Sequence, residues 1–270
     1  MKYAGKIQFF VNIIFTFTAG FLFFSCGLEE VFVIDPPKIK HNSNAVFSST
    51  EANTWYFDFS TNEQNQVDEF IGTEIYYKIY NNSGDLTSER DSINSVNYEA
   101  NGSAAANAMI ERYRYQTLGR SAGSGSVFVP AVGTNRRVTI RLKDYEHAFT
   151  NGGAGDATLP YIDTACISVG GVYETLLGGG YVVPVRLGKI KSFDFFDDKS
   201  IRQNSANSRN EALLPKESDS DYKYSSSSEV DSDKYYVQMF AVGVAWNSSE
   251  ASRTYSLVLD LGSVPIIKGE

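Results

Sequence analysis

KYYVQMFAVGVAW, residues Lys234 to Trp246, sets the architecture expected of this chain. Apolar residues recur at every second position, which is the periodicity of a β-strand. A second aromatic and β-branched run covers Arg253 to Leu261, and the turn-forming residues Asn247 to Glu250 lie between the two runs. The carboxyl-terminal part of the chain therefore predicts a β-hairpin.

Two runs in the amino-terminal half have the same pattern. Trp55 to Ser60 alternates aromatic with more polar residues, and Glu74 to Tyr80 places Ile75, Tyr77 and Ile79 on one face. The turn formers Asn81 to Gly84 follow the second run and predict its end. Four shorter stretches separated by glycine-rich breaks predict further strands: Val127–Val129, Arg137–Leu142, Tyr161–Val169 and Tyr181–Leu187.

The middle of the chain contains one stretch with helical character. Ala104 to Leu118 is rich in alanine, carries Met109 and Ile110, and is followed by Gly119, so it predicts one short helix. The segment from 200 to 233 is rich in Ser, Asn and acidic residues and predicts a flexible surface loop. No internal repeat is evident.

Three pieces of the flanking strands carry a resemblance. They are Pro36-Pro37 before the first strand, Trp55, and the alternating Tyr235 to Val242 run with its turn. These residues resemble a fibronectin type III-like sandwich over about 33–82 and 233–265. The resemblance implies a mainly β fold, a fibronectin type III or immunoglobulin-like β-sandwich over 35–270, with a large insertion at about 83–232 that contains one short helix and further strands. A second domain in the middle, or an unrelated sandwich or barrel, is the alternative.

The amino terminus predicts export. Lys2 and Lys6 precede an apolar run from Ile7 to Phe24, as in a secretory signal peptide. Leu22-Phe23-Phe24-Ser25-Cys26 is similar to a bacterial lipoprotein signal, although Phe23 stands where the strictest form has Leu. Looser forms of this kind are familiar in spirochaetes. An uncleaved transmembrane helix is the alternative.

The lipoprotein resemblance implies a processed and acylated chain. Residues 1–25 would be removed, Cys26 would carry diacylglycerol and further acyl chains such as palmitate, and 26–34 would form a tether. The location implied is the bacterial cell envelope, with the outer membrane favoured and the leaflet undetermined. Cys166 would then be the remaining thiol, and its apolar neighbours predict that it packs in the core.

Composition argues against several classes of function. The chain has 270 residues, 42% of them hydrophobic, enough for a packed core. Its 24 basic and 32 acidic residues give a net charge of -8, which disfavours nucleic-acid binding. Two His and two Cys are too few for thiolate zinc clusters or a disulfide scaffold, so we expect no metal and no cofactor.

Several short motifs match catalytic or ligand sites incompletely. Gly119 to Gly123 fits the G-x-S-x-G turn of hydrolases, but a helix precedes it and only His147 follows as a base. Asp219-x-Asp221, Asp231-x-Asp233 and the glycine-rich Gly152–Asp156 lack the rest of a calcium loop, and His41 is a lone histidine. We therefore expect no enzyme, and a solvated acidic loop instead of a calcium site.

Aromatic residues offer the remaining candidate sites. Tyr113, Tyr115, Tyr222 and Tyr224 flank polar loops, where a tyrosine can bind a ligand or simply pack. The expected function is non-catalytic binding of a protein or glycan partner by an envelope protein attached to the membrane through Cys26. A periplasmic hydrolase and a structural envelope subunit are the alternatives.

Overall fold

The structure is a computed structural model of the full chain. It describes residues 33–38, 41, 55–143 except 65, 100, 101 and 124, 165–195 except 189 and 190, and 214–267 except 227–229, 231 and 232. The predicted leader, Cys26 and residues up to 32 lie outside the described residues.

The predicted carboxyl-terminal hairpin is confirmed and is the largest element of the fold. The described strands, in chain order, are β1 Phe57–Ser60, β2 Phe70–Tyr80, β3 Gln116–Thr117, β4 Gly119–Arg120, β5 Val129–Pro130, β6 Arg137–Arg141, β7 Cys166–Val169, β8 Val172–Tyr173, β9 Pro184–Val185, β10 Tyr222–Lys223, β11 Lys234–Asn247 and β12 Ser252–Ile267. Asn247 closes the hairpin turn, because its side-chain oxygen accepts hydrogen bonds from the N–H groups of Ser249 and Glu250.

Two sheets pack face to face, so the fold is mainly β and sandwich-like. One sheet has the order β1-β6-β7-β8, and the other has the order β10-β2-β11-β12, with β3 and β5 also on β2. The alternating residues predicted to face inward do so and are fully buried between the sheets: Phe57, Phe59, Ile75, Tyr77, Ile79, Val237, Met239 and Ala241. Burial of each large side chain contributes about 1.5–3 kcal/mol before the entropy of ordering is subtracted.

The middle of the chain contributes to the same sandwich. β6 pairs with β1 from Phe57↔Ile140 to Ser60↔Arg137, and β7 pairs with β6. The sheet that faces the carboxyl-terminal hairpin is therefore built mostly from residues of the 83–232 region, and Val33–Glu270 form one compact unit.

A helix occupies residues for which the sequence predicted only a turn. α1, Ser83–Ser95, begins after Asn82, whose side-chain oxygen accepts a hydrogen bond of 3.0 Å from the N–H of Asp85. Leu86 and Ile93 are its buried residues, and the rest of the helix is polar. Its apolar stripe is too narrow to predict a helix by periodicity, which explains the omission.

The predicted alanine-rich helix exists but is shorter than expected. α2, Ala104–Asn107, continues as a π-helical turn, Ala108–Arg112, and the chain then leaves helical geometry through Arg114 with φ 56°. Gly119 does not end the helix but belongs to β4, because the chain has already become extended, with β3 paired to β2 and β4 paired to β9.

The helices give the larger sheet a second buried face. Tyr76, Tyr80, Phe240 and Val242 point away from the sandwich core and pack with helical residues that include Met109. The larger sheet is thus covered on both faces, unlike a two-layer sandwich with one solvated face on each sheet.

Candidate functional site

A buried ionic cluster joins residues that lie far apart in sequence. The Arg186 guanidinium donates to both carboxylate oxygens of Asp221, at 2.8 and 2.9 Å, and also to Asp219 at 3.1 Å. Lys191 Nζ donates to Asp219 at 2.5 Å, and the Tyr77 hydroxyl donates to Asp221 at 2.7 Å. The cluster fixes the segment around Asp221 to strand β2, since the Asp221 carbonyl accepts the N–H of Ile79.

The electrostatics of this cluster favour a structural role. Burial and the neighbouring Asp221 carboxylate raise the pKa of the Tyr77 hydroxyl, so it stays protonated and acts as a donor. Burial acts to raise the pKa of Asp219, but the hydrogen bonds from Lys191 and from the Lys216 N–H outweigh it and hold that pKa below its ordinary value. Asp219 is thereby kept charged and paired with Lys191.

The expectation that Asp219-x-Asp221 lies in a solvated acidic loop is therefore corrected. Its carboxylates are occupied by Arg186 and Lys191, and Asp221 is fully buried, so this part of the predicted surface loop is packed and not solvated. Residues 200–213, 227–229, 231 and 232 of the same loop, among them Asp231, lie outside the described residues, whereas Asp233 is exposed.

A second buried polar cluster contains one of the predicted tyrosines. Lys78 Nζ donates to Glu89 at 2.7 Å and to the Tyr113 carbonyl at 2.6 Å, and the Tyr80 hydroxyl bridges Glu89 and the Tyr115 hydroxyl. Burial lowers the pKa of Lys78, although the Glu89 carboxylate opposes the change. Tyr115 is 2% exposed, so it packs under α1 and is not available as a ligand-binding residue.

The other predicted tyrosines differ in exposure. Tyr113 is partly buried and lies against the Arg112 guanidinium. Tyr222 is partly buried against Tyr235, with ring centroids 5.8 Å apart, while Tyr224 stacks edge-on to Tyr222 and is 47% exposed. Of these four residues, Tyr224 presents the most open surface.

The G-x-S-x-G match has the structure of a packed loop. Ser121 Oγ accepts a hydrogen bond of 2.9 Å from the N–H of Val183, and Arg120 pairs with Glu174 and donates to the Phe128 carbonyl. The first two residues of the motif form β4, which pairs with β9. Ser121 follows directly, so it continues the contact between these two segments. His147 and Gly152–Asp156 lie outside the described residues.

The remaining predicted positions have ordinary environments. His41 Nε2 lies 2.9 Å from Ser60 Oγ, and Cys166 is buried in β7, as predicted. Within the described ranges, no three His, Cys, Asp or Glu side chains are grouped to hold a metal ion. No helix among these residues is both long and apolar enough to cross a bilayer.

A protruding hairpin was not predicted as a site from the sequence. The chain leaves the sheet edge after Glu174 and returns at Val182, whose N–H donates to the Glu174 carbonyl at 2.8 Å. Between them Leu176 is partly exposed, Leu177 is fully exposed, and Gly178, Gly179 and Gly180 all have positive φ. Tyr173 and Tyr181 stack edge-on at its base, with centroids 5.8 Å apart.

The sequence carried a usable indication of this feature. Leu176-Leu177 stands directly before three glycines, and the only charged residue from 164 to 185 is Glu174. Taken alone, the three glycines indicate only a break between strands. An apolar pair beside a glycine turn predicts exposed apolar surface, because glycines have no side chains against which the leucines could pack.

Comparison of the chain with protein-family models, curated proteins and solved structures found no match.

Proposed function

We propose that this chain is a lipid-anchored protein of a bacterial cell envelope that binds a protein partner without catalysing a reaction. The anchoring part rests on the leader and Cys26, and the binding part rests on the exposed hairpin at residues 174–182. A glycan is the second class of partner in the proposal, since the edge-stacked pair Tyr173 and Tyr181 at the base of the hairpin also suits a sugar. We also propose that the sandwich is of the fibronectin type III-like kind.

The spacing between anchor and body supports attachment at a membrane. Six residues, 27–32, lie between Cys26 and Val33, where the described fold begins, so the two are seven residue steps apart. A fully extended chain of that length spans at most about 25 Å. Acyl chains on Cys26 would therefore hold the sandwich close to the bilayer, with the outer membrane favoured.

The single observation that carries the binding role is the group of exposed apolar side chains on one hairpin, Leu177 with Leu176 and Tyr181. A leucine with its whole side chain in water exposes apolar area that folding has not buried. Leu176 and Tyr181 adjoin it on the same hairpin, and a convex apolar projection of this kind fits a pocket on another protein. The Leu176 N–H pairs with the Gly180 carbonyl at 2.9 Å, which holds the tip in one shape before binding.

The two parts of the proposal are tested separately. The anchor is tested by intact mass of the membrane-extracted protein and by globomycin, which should cause the full precursor to accumulate. An unmodified Cys26 would overturn the anchoring part.

The binding role is tested by placing a photo-crosslinking residue at position 177 in living cells. The matched control carries the same residue at position 98, because Tyr98 is 51% exposed on a different loop. We expect a discrete adduct from position 177 that disappears with Leu176→Asp. No adduct, or equal adducts from both positions, would overturn the binding role.

A further inference from the structure

We propose that one end of the sandwich lies directly on the lipid bilayer and touches it through Val33, Val132, Val172 and Trp246. We call this the Val33 end, defined by those four residues and by loop residues 61–64 and 66–69 between β1 and β2. The inference rests on the proposed lipid anchor at Cys26 and adds the orientation of the body and its lipid-contacting residues.

These loop residues bring three of the four residues together. The backbone N–H of Trp246 donates to the Glu69 carbonyl at 3.0 Å, and the backbone N–H of Val132 donates to the Glu63 carboxylate at 2.6 Å. Gln66 accepts from the N–H of Asp35 and donates to its carbonyl, which holds the segment that starts at Val33 against the same loop.

The pairing of strands in the smaller sheet brings Val172 to the Val33 end. The Thr61 N–H donates to the Arg136 carbonyl at 2.9 Å, and the Gly170 N–H donates to the Arg137 carbonyl at 2.7 Å. The turn between β7 and β8, which leads into Val172, is therefore beside the start of β6 and the end of β1.

The exposure of the four side chains is unusual because all four lie at the Val33 end. Val33 is 70%, Val132 61%, Val172 68% and Trp246 44% exposed. Single exposed apolar residues need no explanation, but these four belong to separate segments that meet at the end where the tether leaves the body. Tryptophan is also enriched at membrane–water interfaces, since its ring is apolar and its indole N–H is polar.

A bilayer is the occupant that the tether favours. With Cys26 embedded and six residues between it and Val33, the tether would keep Val33 within about 25 Å of the anchored residue. Asp68 and Glu250 are exposed on loops of the same end, so this surface suits neutral lipid headgroups better than anionic ones. The hairpin at 174–182 is a separate projection from the β8 edge and remains available to a protein partner.

The two tryptophans allow a direct test. Trp246 is exposed at the Val33 end, whereas Trp55 is buried just before β1, at the opposite end of that strand. The acylated mature protein is reconstituted into phosphatidylcholine vesicles with or without brominated acyl chains, which quench tryptophan that contacts lipid. The emission of Trp246 is the wild-type signal minus that of the Trp246→Phe variant.

We expect the Trp246 component to lose about half or more of its emission in brominated vesicles, as for a ring at the acyl boundary. The remaining Trp55 signal should be unchanged. Val132→Asp and Val172→Asp should each reduce the quenching, and the matched control Leu177→Asp should not. Added phosphatidylglycerol should reduce the quenching as well.

Flotation of the same vesicles separates the two proposals. Protein that floats while its Trp246 emission is equal in both kinds of vesicle would overturn the bilayer contact and leave the anchor standing. Protein that fails to float, with Cys26 unmodified by mass, would overturn the anchor itself.

Discussion

Arg186 and Asp221 face each other across two hydrogen bonds, and neither side chain reaches solvent. The pair lies between the segment that follows β9 and the segment that precedes β10, and the Tyr77 hydroxyl ties it to β2. Because both charges are removed from water, each depends on the other for its solvation.

Arg186→Met should therefore destabilise the protein strongly. The substitution leaves the buried Asp221 carboxylate without its cation, and breaking such a pair costs about 3–5 kcal/mol. Urea unfolding followed by circular dichroism measures the loss. The double variant Arg186→Met/Asp221→Leu is the control and should be less destabilised than the single variant, because no charge is left unpaired; an equal or larger loss would contradict this account.

The same pair illustrates what the sequence could and could not predict. The β11–β12 hairpin was predictable because its alternation and its turn are adjacent in the chain. Arg186 and Asp221 are 35 residues apart, and nothing local indicates that they meet. The sequence predicted Asp221 as a solvated acid because charge is normally exposed, and only tertiary pairing overrides that expectation.

The helical layer was missed for a related reason. α1 has only two buried residues, so its stability comes from packing on the outer face of the larger sheet and not from a local apolar pattern. Tyr115 was offered as a binding residue because polar residues surround it in sequence, although in the fold it lies beneath this layer.

Asn97→Ala should weaken the exposed edge of β12. The Asn97 side chain donates to the Val258 carbonyl at 2.8 Å and accepts from the Val258 N–H at 2.9 Å, so it occupies the place of a neighbouring strand. Leaving these groups without partners should cost about 1–3 kcal/mol. Hydrogen exchange at Val258 should accelerate accordingly.

The control for this prediction is Ser92→Ala, a partly buried position on α1 whose hydroxyl donates to the Ser88 carbonyl within the same helix. We expect it to change stability by less than about 0.5 kcal/mol. Unchanged exchange at Val258 in the Asn97→Ala variant would show that the edge does not depend on this side chain.

Gly72→Ala should disrupt the packing of β5 on β2. Gly72 has φ 143°, and a Cβ there would lie 2.2 Å from the Val129 carbonyl oxygen, which is backbone and cannot move independently. Gly171→Ala shares a positive φ but meets no atom within 4 Å, so it isolates the conformational cost. The thermal midpoint should fall much further for Gly72→Ala; equal falls would mean that the contact is relieved without cost.

Glu63 should make the stability of the Val33 end depend on pH. Its carboxylate accepts from the N–H groups of Val132 and Gly133 and pairs with Arg136. Burial acts to raise the pKa of Glu63, but these hydrogen bonds outweigh it and hold the pKa below the ordinary 4.5. The folded state thus binds the Glu63 proton less readily than the unfolded state does.

The sign of the effect follows from that difference. The stabilisation is complete above the pKa of the unfolded chain and is lost as pH falls through the lower pKa of the folded chain. Urea midpoints of the wild type and Glu63→Gln should therefore differ at neutral pH and converge as the pH falls below 4.5. Glu250→Gln, an exposed change on the β11–β12 turn, is the matched control for removing a carboxylate elsewhere in the fold. A gap between wild type and Glu63→Gln that is the same at acidic and neutral pH would mean that the ionised carboxylate does not stabilise the loops that carry Val132 and Gly133.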